Sequence, residues 1–192
     1  MAKVIGLVGS PRKGGNTDTL VKAVLAGAAA QEADTEIHYL NDLDIRGCQG
    51  CDTCKETRAC VLDDDMKVLY TAVAEADGIV IGSPIYACYF SAQTKLFVDR
   101  LYACFDQNLV SWLPKGKRFA LVVTYADQGD AVYDGAVDSL VPVIELTSPE
   151  SVETLVLSGT TDKGSAARNP EIMQRAEALG RRLGRSTQGN GA

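Results

Sequence analysis

Gly9-Ser10-Pro11-Arg12-Lys13-Gly14-Gly15-Asn16-Thr17 decides how this chain is read. It follows Val4-Ile5-Gly6-Leu7-Val8, an apolar run of the kind that forms a buried parallel strand. It precedes Leu20, Val21, Val24, Leu25 and Ala28, which recur at helical spacing. A strand-to-helix turn lies at the carboxyl end of its strand, where open α/β sheets bind ligands. The turn presents backbone N–H groups and the positive end of a helix dipole. Gly14 and Gly15 allow close backbone approach to an anion, Ser10, Asn16 and Thr17 add neutral donors, and Arg12 adds a cation. The pattern predicts a phosphate cradle. A capped turn with no ligand, Asn16 or Thr17 serving as cap, is the plainer alternative, but the glycines and donors together exceed what a cap needs. The stretch is not a P-loop, because Gly15 and Asn16 stand where that motif has Lys and Ser/Thr. The dinucleotide fingerprint G-x-G-x-x-G is also absent.

The chain of 192 residues is long enough for one α/β domain with a sizeable core. A formal charge of −6 and the lack of a basic stripe argue against nucleic acid as a partner. The first apolar run is too short for a signal peptide or a membrane span, so the expectation is a cytoplasmic protein with no membrane partner. Six cysteines in such a chain are read as thiols or metal ligands rather than disulfides. Residues 1–184 read as one domain, and 185–192 as a disordered tail.

Further along, Thr35 to Leu40 alternates like a second strand, with the lone histidine, His38, on its face rather than in catalysis. Asp63, Asp64 and Asp65 read as the start of a helix carrying Met66, Leu69, Ala72 and Val73. Ile79-Val80-Ile81-Gly82 is a third buried strand, running into the loop Ser83-Pro84-Ile85-Tyr86-Ala87-Cys88-Tyr89-Phe90-Ser91. Arg118 to Thr124 and Val152 to Leu157 are the fourth and fifth strands; Ala131–Leu146 and Pro170–Gly184 are helices. Strand and helix alternate, which predicts parallel strands with right-handed crossovers and helices on both faces. Tyr86 is read as facing a planar ligand, because aromatic faces suit one. Tyr89 and Phe90 are read as packing residues, and Cys88 and Cys104 as small buried hydrophobes.

Four cysteines, Cys48, Cys51, Cys54 and Cys60, lie in one loop, 46–62, as C-x2-C-x2-C-x5-C. The tight C-x2-C-x2-C is an iron–sulfur spacing, though a ferredoxin continues differently, with x3-C-P. Arg46, Lys55 and Arg58 share the loop and would offset cluster charge. Zinc, a redox-sensitive thiol loop with no metal, and unrelated structural cysteines are the alternatives.

Gly9 to Thr17 closely matches G-S-x-R-x-x-S/G-N-T/S, the flavin-phosphate loop of the NADPH-dependent FMN reductases among the flavodoxin-like proteins. Gly82-Ser83-Pro84-Ile85-Tyr86 resembles their G-[ST]-P-x-Y segment, and Ser91 to Arg100 their helix S-x-x-L-K-x-F-I-D-R. Thr94 stands where the family has leucine and is read as a surface change. The resemblance implies a three-layer α/β sandwich with a five-stranded parallel sheet of order 2-1-3-4-5 and the cysteine-rich loop after strand 2. It implies FMN held by Ser10, Arg12, Gly15, Asn16 and Thr17 at the phosphate, by Ser83, Pro84, Ile85 and Tyr86 at the ring, and by Tyr125 and Gly129 at the pyrimidine edge. Asp127 is assigned to flavin N3–H or, preferably, to a helix cap. The cysteine spacing resembles the compact motif of the iron–sulfur flavoproteins, which share this fold and hold FMN and one 4Fe–4S cluster.

That likeness implies a flavin-dependent oxidoreductase, the flavin itself carrying the chemistry. Electrons would pass between a one-electron carrier such as ferredoxin and a small two-electron acceptor, namely a quinone, a peroxide or oxygen. A homodimer or homotetramer is expected. The alternatives are an NAD(P)H-dependent FMN or quinone reductase without a cluster, and a flavodoxin-type electron carrier.

Overall fold

β1 (Lys3–Val8) is flanked on both edges by parallel neighbours, β2 (Asp34–Tyr39) and β3 (Gly78–Tyr86). A strand inside a parallel sheet is covered by helices on both faces, which accounts for its unbroken apolar run. The computed structural model describes residues 1–129, 131–147 and 152–185. β5 (Arg118–Thr124) pairs with β3, and β6 (Glu153–Leu157) with β5, giving the order β2-β1-β3-β5-β6. The five parallel strands therefore follow the expected 2-1-3-4-5 order.

The sheet has a sixth strand that the sequence did not announce. β3 does not end at Gly82 but continues through Pro84 to Tyr86, and β4 (Tyr89–Phe90) folds back on it. Ala87 and Cys88 make the turn, both in the left-handed region, with φ of 47° and 67°. That is the geometry of a tight primed hairpin turn, and it leaves Cys88 exposed rather than buried. Cys104 is buried as expected.

Successive strand residues face opposite layers. Val4, Val8, Val80, Ala120 and Val122 pack under α1 (Asn16–Ala29) and α6 (Pro170–Leu183), against Leu20, Val24, Ile172 and Leu179. Ile5, Leu7, Ile81, Leu121 and Val123 pack on the other face. There they meet α3 (Met66–Glu75), α4 (Ala92–Arg100) and α5 (Asp134–Thr147) through Leu69, Phe97, Leu140 and Ile144. The cysteine loop is not wholly irregular, since α2 (Thr53–Thr57) makes one short turn inside it. α5 begins later than its sequence suggests and carries Pro142 in its interior. The expected tail lies outside the described residues apart from Arg185. Among the described residues, no helix is long and apolar enough to cross a membrane.

Candidate functional site

Four strand-end loops surround a hollow of about 270 Å³ at the carboxyl edge of the sheet. Ser10, Arg12, Gly15, Asn16 and Thr17 form one wall, Pro84, Ile85 and Tyr86 a second, and Thr124, Tyr125 and Ala126 a third. Thr160, Thr161, Asp162 and Lys163 close the fourth side. Gly15 occupies the N-cap position of α1 and supplies no side-chain cap. The helix therefore meets the hollow with its first-turn N–H groups, the usual setting for an anion.

The polar side chains nearby are spent on shaping this loop. Asn16 is not a cap: its Nδ2 donates to the Asp162 carbonyl (2.6 Å) and its Oδ1 accepts from the Ala166 N–H (2.9 Å). The 158–169 loop is thereby tied to the helix start. The Thr17 hydroxyl pairs with that of Thr124 at 2.8 Å. Asp18, fully buried, accepts from the Gly14 N–H (2.6 Å), Lys22 Nζ (3.0 Å) and the Tyr39 hydroxyl (3.1 Å). Gly14 adopts φ of +72°, a backbone state that favours glycine. The hollow is thus built before any ligand arrives, and it fits a phosphate ester: an uncapped helix start flanked by Arg12 and Lys163.

Underneath, α4 locks two of these walls together. The Gly9 N–H donates to the Gly82 carbonyl (2.8 Å), and Ser91 Oγ donates to the Gly9 carbonyl (2.7 Å). The Ser91 N–H in turn donates to Ser83 Oγ (3.1 Å). A Cβ on Gly9 would overlap the Thr94 hydroxyl.

A second, narrow hollow of about 20 Å³ is lined by Cys48, Cys51, Cys54 and Cys60, with Arg100 and Tyr102. Cys48 and Cys51 are exposed, Cys60 half-buried and Cys54 buried; all are free thiols. Burial pushes the Cys54 thiol up, whereas hydrogen bonds from the Thr53 backbone and hydroxyl draw Cys51 down. Among the described residues, no three His, Cys, Asp or Glu side chains are gathered as one metal ion requires. Four thiols spread around one hollow suit a multi-atom group better than a single zinc ion. The enclosed space holds about one water, so such a group needs the loop to open on the side of the exposed Cys48 and Cys51.

The loop is anchored by Asp64, whose carboxylate accepts from the Arg46 N–H (3.1 Å), the Met66 N–H (3.2 Å) and Arg100. Burial opposes ionisation of Asp64, but bonds from Arg100 and the Arg46 backbone hold its carboxyl below the usual range. Lys55 Nζ donates to the Tyr102 and Phe105 carbonyls (2.8 and 3.0 Å) and lies 3.3 Å from the centre of the Tyr102 ring.

A protein-family model described as NADPH-dependent FMN reductase matches residues 2–151. The chain belongs to the NADPH-dependent FMN reductase family. It is 44% identical over 98 residues to an iron–sulfur flavoprotein of Methanocaldococcus jannaschii, covering 51% of each chain. It is 28% identical over 193 residues to one of Archaeoglobus fulgidus, covering 94% of this chain and 93% of that one. In several such matches the chain spans about half the length of the curated relative. Its fold superposes with a TM-score of 0.73, at 15% identity, on an NAD(P)H:quinone oxidoreductase from Methanothermobacter marburgensis, over 95% of this chain and 98% of that one.

Set against the FMN reductase motifs, the structure brings nine of the eleven residues assigned to the flavin onto one hollow. Ser83 and Gly129 are not on its surface. Ser83 is fully buried and its hydroxyl donates to the Pro84 carbonyl (2.9 Å); the Gly129 carbonyl accepts from the Tyr125 hydroxyl (3.0 Å). Both hold a wall residue in place. Asp127 accepts from the Tyr133 hydroxyl (2.6 Å), a bond that pushes the Tyr133 phenol up to about 12. It does not cap α5, which starts at Asp134. Thr94 is no surface change: it is fully buried, 3.0 Å from Ser91 Oγ. The FMN reductase motifs did not point to Thr160, Thr161, Asp162 or Lys163. The signal for them was topological, since every strand-to-helix loop of such a sheet arrives at this edge. A larger apolar hollow of about 490 Å³ lies between α4 and α5 and reaches Cys48, away from the phosphate loop.

Proposed function

We propose that this chain is a flavin-dependent oxidoreductase holding FMN in the strand-end hollow and a 4Fe–4S cluster on Cys48, Cys51, Cys54 and Cys60. The observation that carries the reading is the convergence of those four thiols on one hollow in an FMN reductase fold. Relatives named iron–sulfur flavoproteins support it. When bound, the flavin exchanges one or two electrons and the cluster one. The α1 start, Arg12 and Lys163 would bind the phosphate. Pro84, Ile85 and Tyr86 would orient the ring, and Tyr125 would border its far edge. Ser83, Ser91 and Gly129 would hold those walls in place. The chain would pass electrons between a ferredoxin-like carrier, or NAD(P)H, and a small quinone, a peroxide or oxygen, as a cytoplasmic homodimer or homotetramer.

The test is anaerobic reconstitution of the wild type beside single serine variants of the four cysteines, with FMN titrated in parallel. The wild type should take up about four irons and four sulfides per chain, and each variant should lose them. Asn16→Ala/Thr17→Ala should weaken FMN binding on the order of a hundredfold, because the helix start loses its ties to the 158–169 loop and Thr124. Uptake of zinc alone, or no change in Cys60→Ser, would replace this reading with a cluster-free NAD(P)H-dependent FMN or quinone reductase. Failure to turn over any small acceptor would leave a flavodoxin-type carrier.

A further inference from the structure

Arg100, the last residue of α4, is 1% exposed and among the largest fully buried side chains. Two of its three nitrogens are occupied. Nη1 donates to Asp64 Oδ2 (2.6 Å) and to the Arg46 carbonyl (2.7 Å), and Nη2 donates to Asp64 Oδ1 (3.1 Å). These bonds fix the plane of the guanidinium. The third nitrogen, Nε, is buried and makes no hydrogen bond of ordinary distance and angle among the described residues. The Tyr70 hydroxyl, which donates to the Arg100 carbonyl (2.8 Å), lies beside the guanidinium but does not satisfy it. Arg100 is also part of the wall of the hollow lined by all four cysteines.

A buried, charged group with an unused donor is costly, and native structures rarely keep one without a use. We propose that Arg100 is a positioning residue whose Nε–H is kept for a sulfur of the iron–sulfur group held by Cys48, Cys51, Cys54 and Cys60. The inference rests on the cluster reading above. Asp64 already balances the charge of Arg100, so what the side chain offers is an oriented N–H dipole in a poorly solvated place. Donors to cluster sulfurs are one means by which a protein sets the potential. One-electron reduction adds negative charge to the cluster, so the N–H bonds the reduced form more strongly. Arg100 therefore raises the cluster potential. Arg46 and Lys55 do not fill this role: Arg46 Nη2 donates to the Asp63 carbonyl, and Lys55 to Tyr102 and Phe105.

The experiment compares wild type with Arg100→Lys, both reconstituted without oxygen, by iron and sulfide content and by potentiometric titration of the cluster EPR signal. Lysine keeps the charge opposite Asp64 but has no Nε–H. The expected result is equal loading and a roughly tenfold smaller equilibrium constant for reduction of the cluster, a fall of about 59 mV. A merely structural Arg100–Asp64 pair would leave the potential unmoved. Equal loading with an unchanged potential overturns the proposal while the cluster reading stands; a water would then occupy the donor. A wild type that takes up no iron overturns both. If Arg100→Lys does not fold or load, pulsed EPR of wild type carrying 15N-labelled arginine side chains decides. Coupling of the reduced cluster to an arginine nitrogen, kept in Arg46→Lys and Arg58→Lys, supports the proposal, and its absence refutes it.

Discussion

Asp64→Asn probes the strut beneath the cysteine loop. The two partners are almost wholly removed from solvent, with side-chain exposures of 1% for Arg100 and 0% for Asp64. Breaking one side of a buried pair leaves the other charge uncompensated, which costs about 3–5 kcal/mol. Domains of ordinary stability have about 5–15 kcal/mol in total, so the loss is a large share. With a urea dependence of about 2 kcal/mol per molar, the midpoint of the metal-free protein should fall by about 1.5–2.5 M. Asp64→Leu/Arg100→Met removes both charges and keeps apolar volume, so it should recover at least about 2 kcal/mol of the single-variant loss. Recovery stays incomplete, because the Arg46 and Met66 N–H groups lose their acceptor. The acid side gives an independent reading. The folded-state carboxyl of Asp64 lies below its usual value, so its stabilisation is complete above about pH 5 and is lost as the pH falls through the unfolded value to the lower folded one. Asp64→Asn should lack this component. A midpoint shift under about 0.5 M, or a double variant as unstable as the sum of the singles, would refute the reasoning.

The hairpin turn should tolerate improvement: Ala87→Asn/Cys88→Gly places turn-forming residues where φ is 47° and 67°, and should stabilise by about 1–2 kcal/mol in urea unfolding. Thiol labelling of the metal-free protein, followed by mass spectrometry, should find Cys51 reacting ahead of the buried Cys54. Cys104, buried and pushed up to about 12, should react only on unfolding. Asn16→Ala should speed hydrogen exchange at the Ala166 N–H, whose acceptor is Asn16 Oδ1.

What the sequence revealed was mostly local. The buried strands carry their own apolar runs, and the phosphate loop carries its own glycines and donors within nine residues. Sheet order was not local: it came from the likeness to the flavodoxin-like proteins, while crossover handedness only placed helices on both faces. What stayed hidden depends on who sits opposite. Thr94 reads as a polar surface residue, yet it is buried because Gly9 presents no side chain above it and Ser91 satisfies its hydroxyl. Cys88 has apolar neighbours on both sides, but a two-residue turn must expose its tip. Asn16 was legible as a donor, but not the loop it donates to, 146 residues away. Arg100 lies forty residues beyond Cys60, and its place on the cysteine hollow appears only once α4 is packed on the sheet.

α4 gives these separate details one mechanical sense. Its nine residues span about 13 Å. At its first turn, Ser91 holds Gly9 and Ser83, and with them the walls proposed for the flavin phosphate and ring. At its last residue, Arg100 holds Asp64 and the Arg46 carbonyl, and with them the base of the cysteine loop. One helix, buried along its inner face through Thr94, Phe97, Val98 and Arg100, therefore fixes both hollows relative to each other. Two redox groups that must exchange electrons need a fixed separation more than they need a large binding surface. A short helix capped by buried hydrogen bonds at one end and a buried ion pair at the other supplies it. Loosening either end should therefore disturb both hollows.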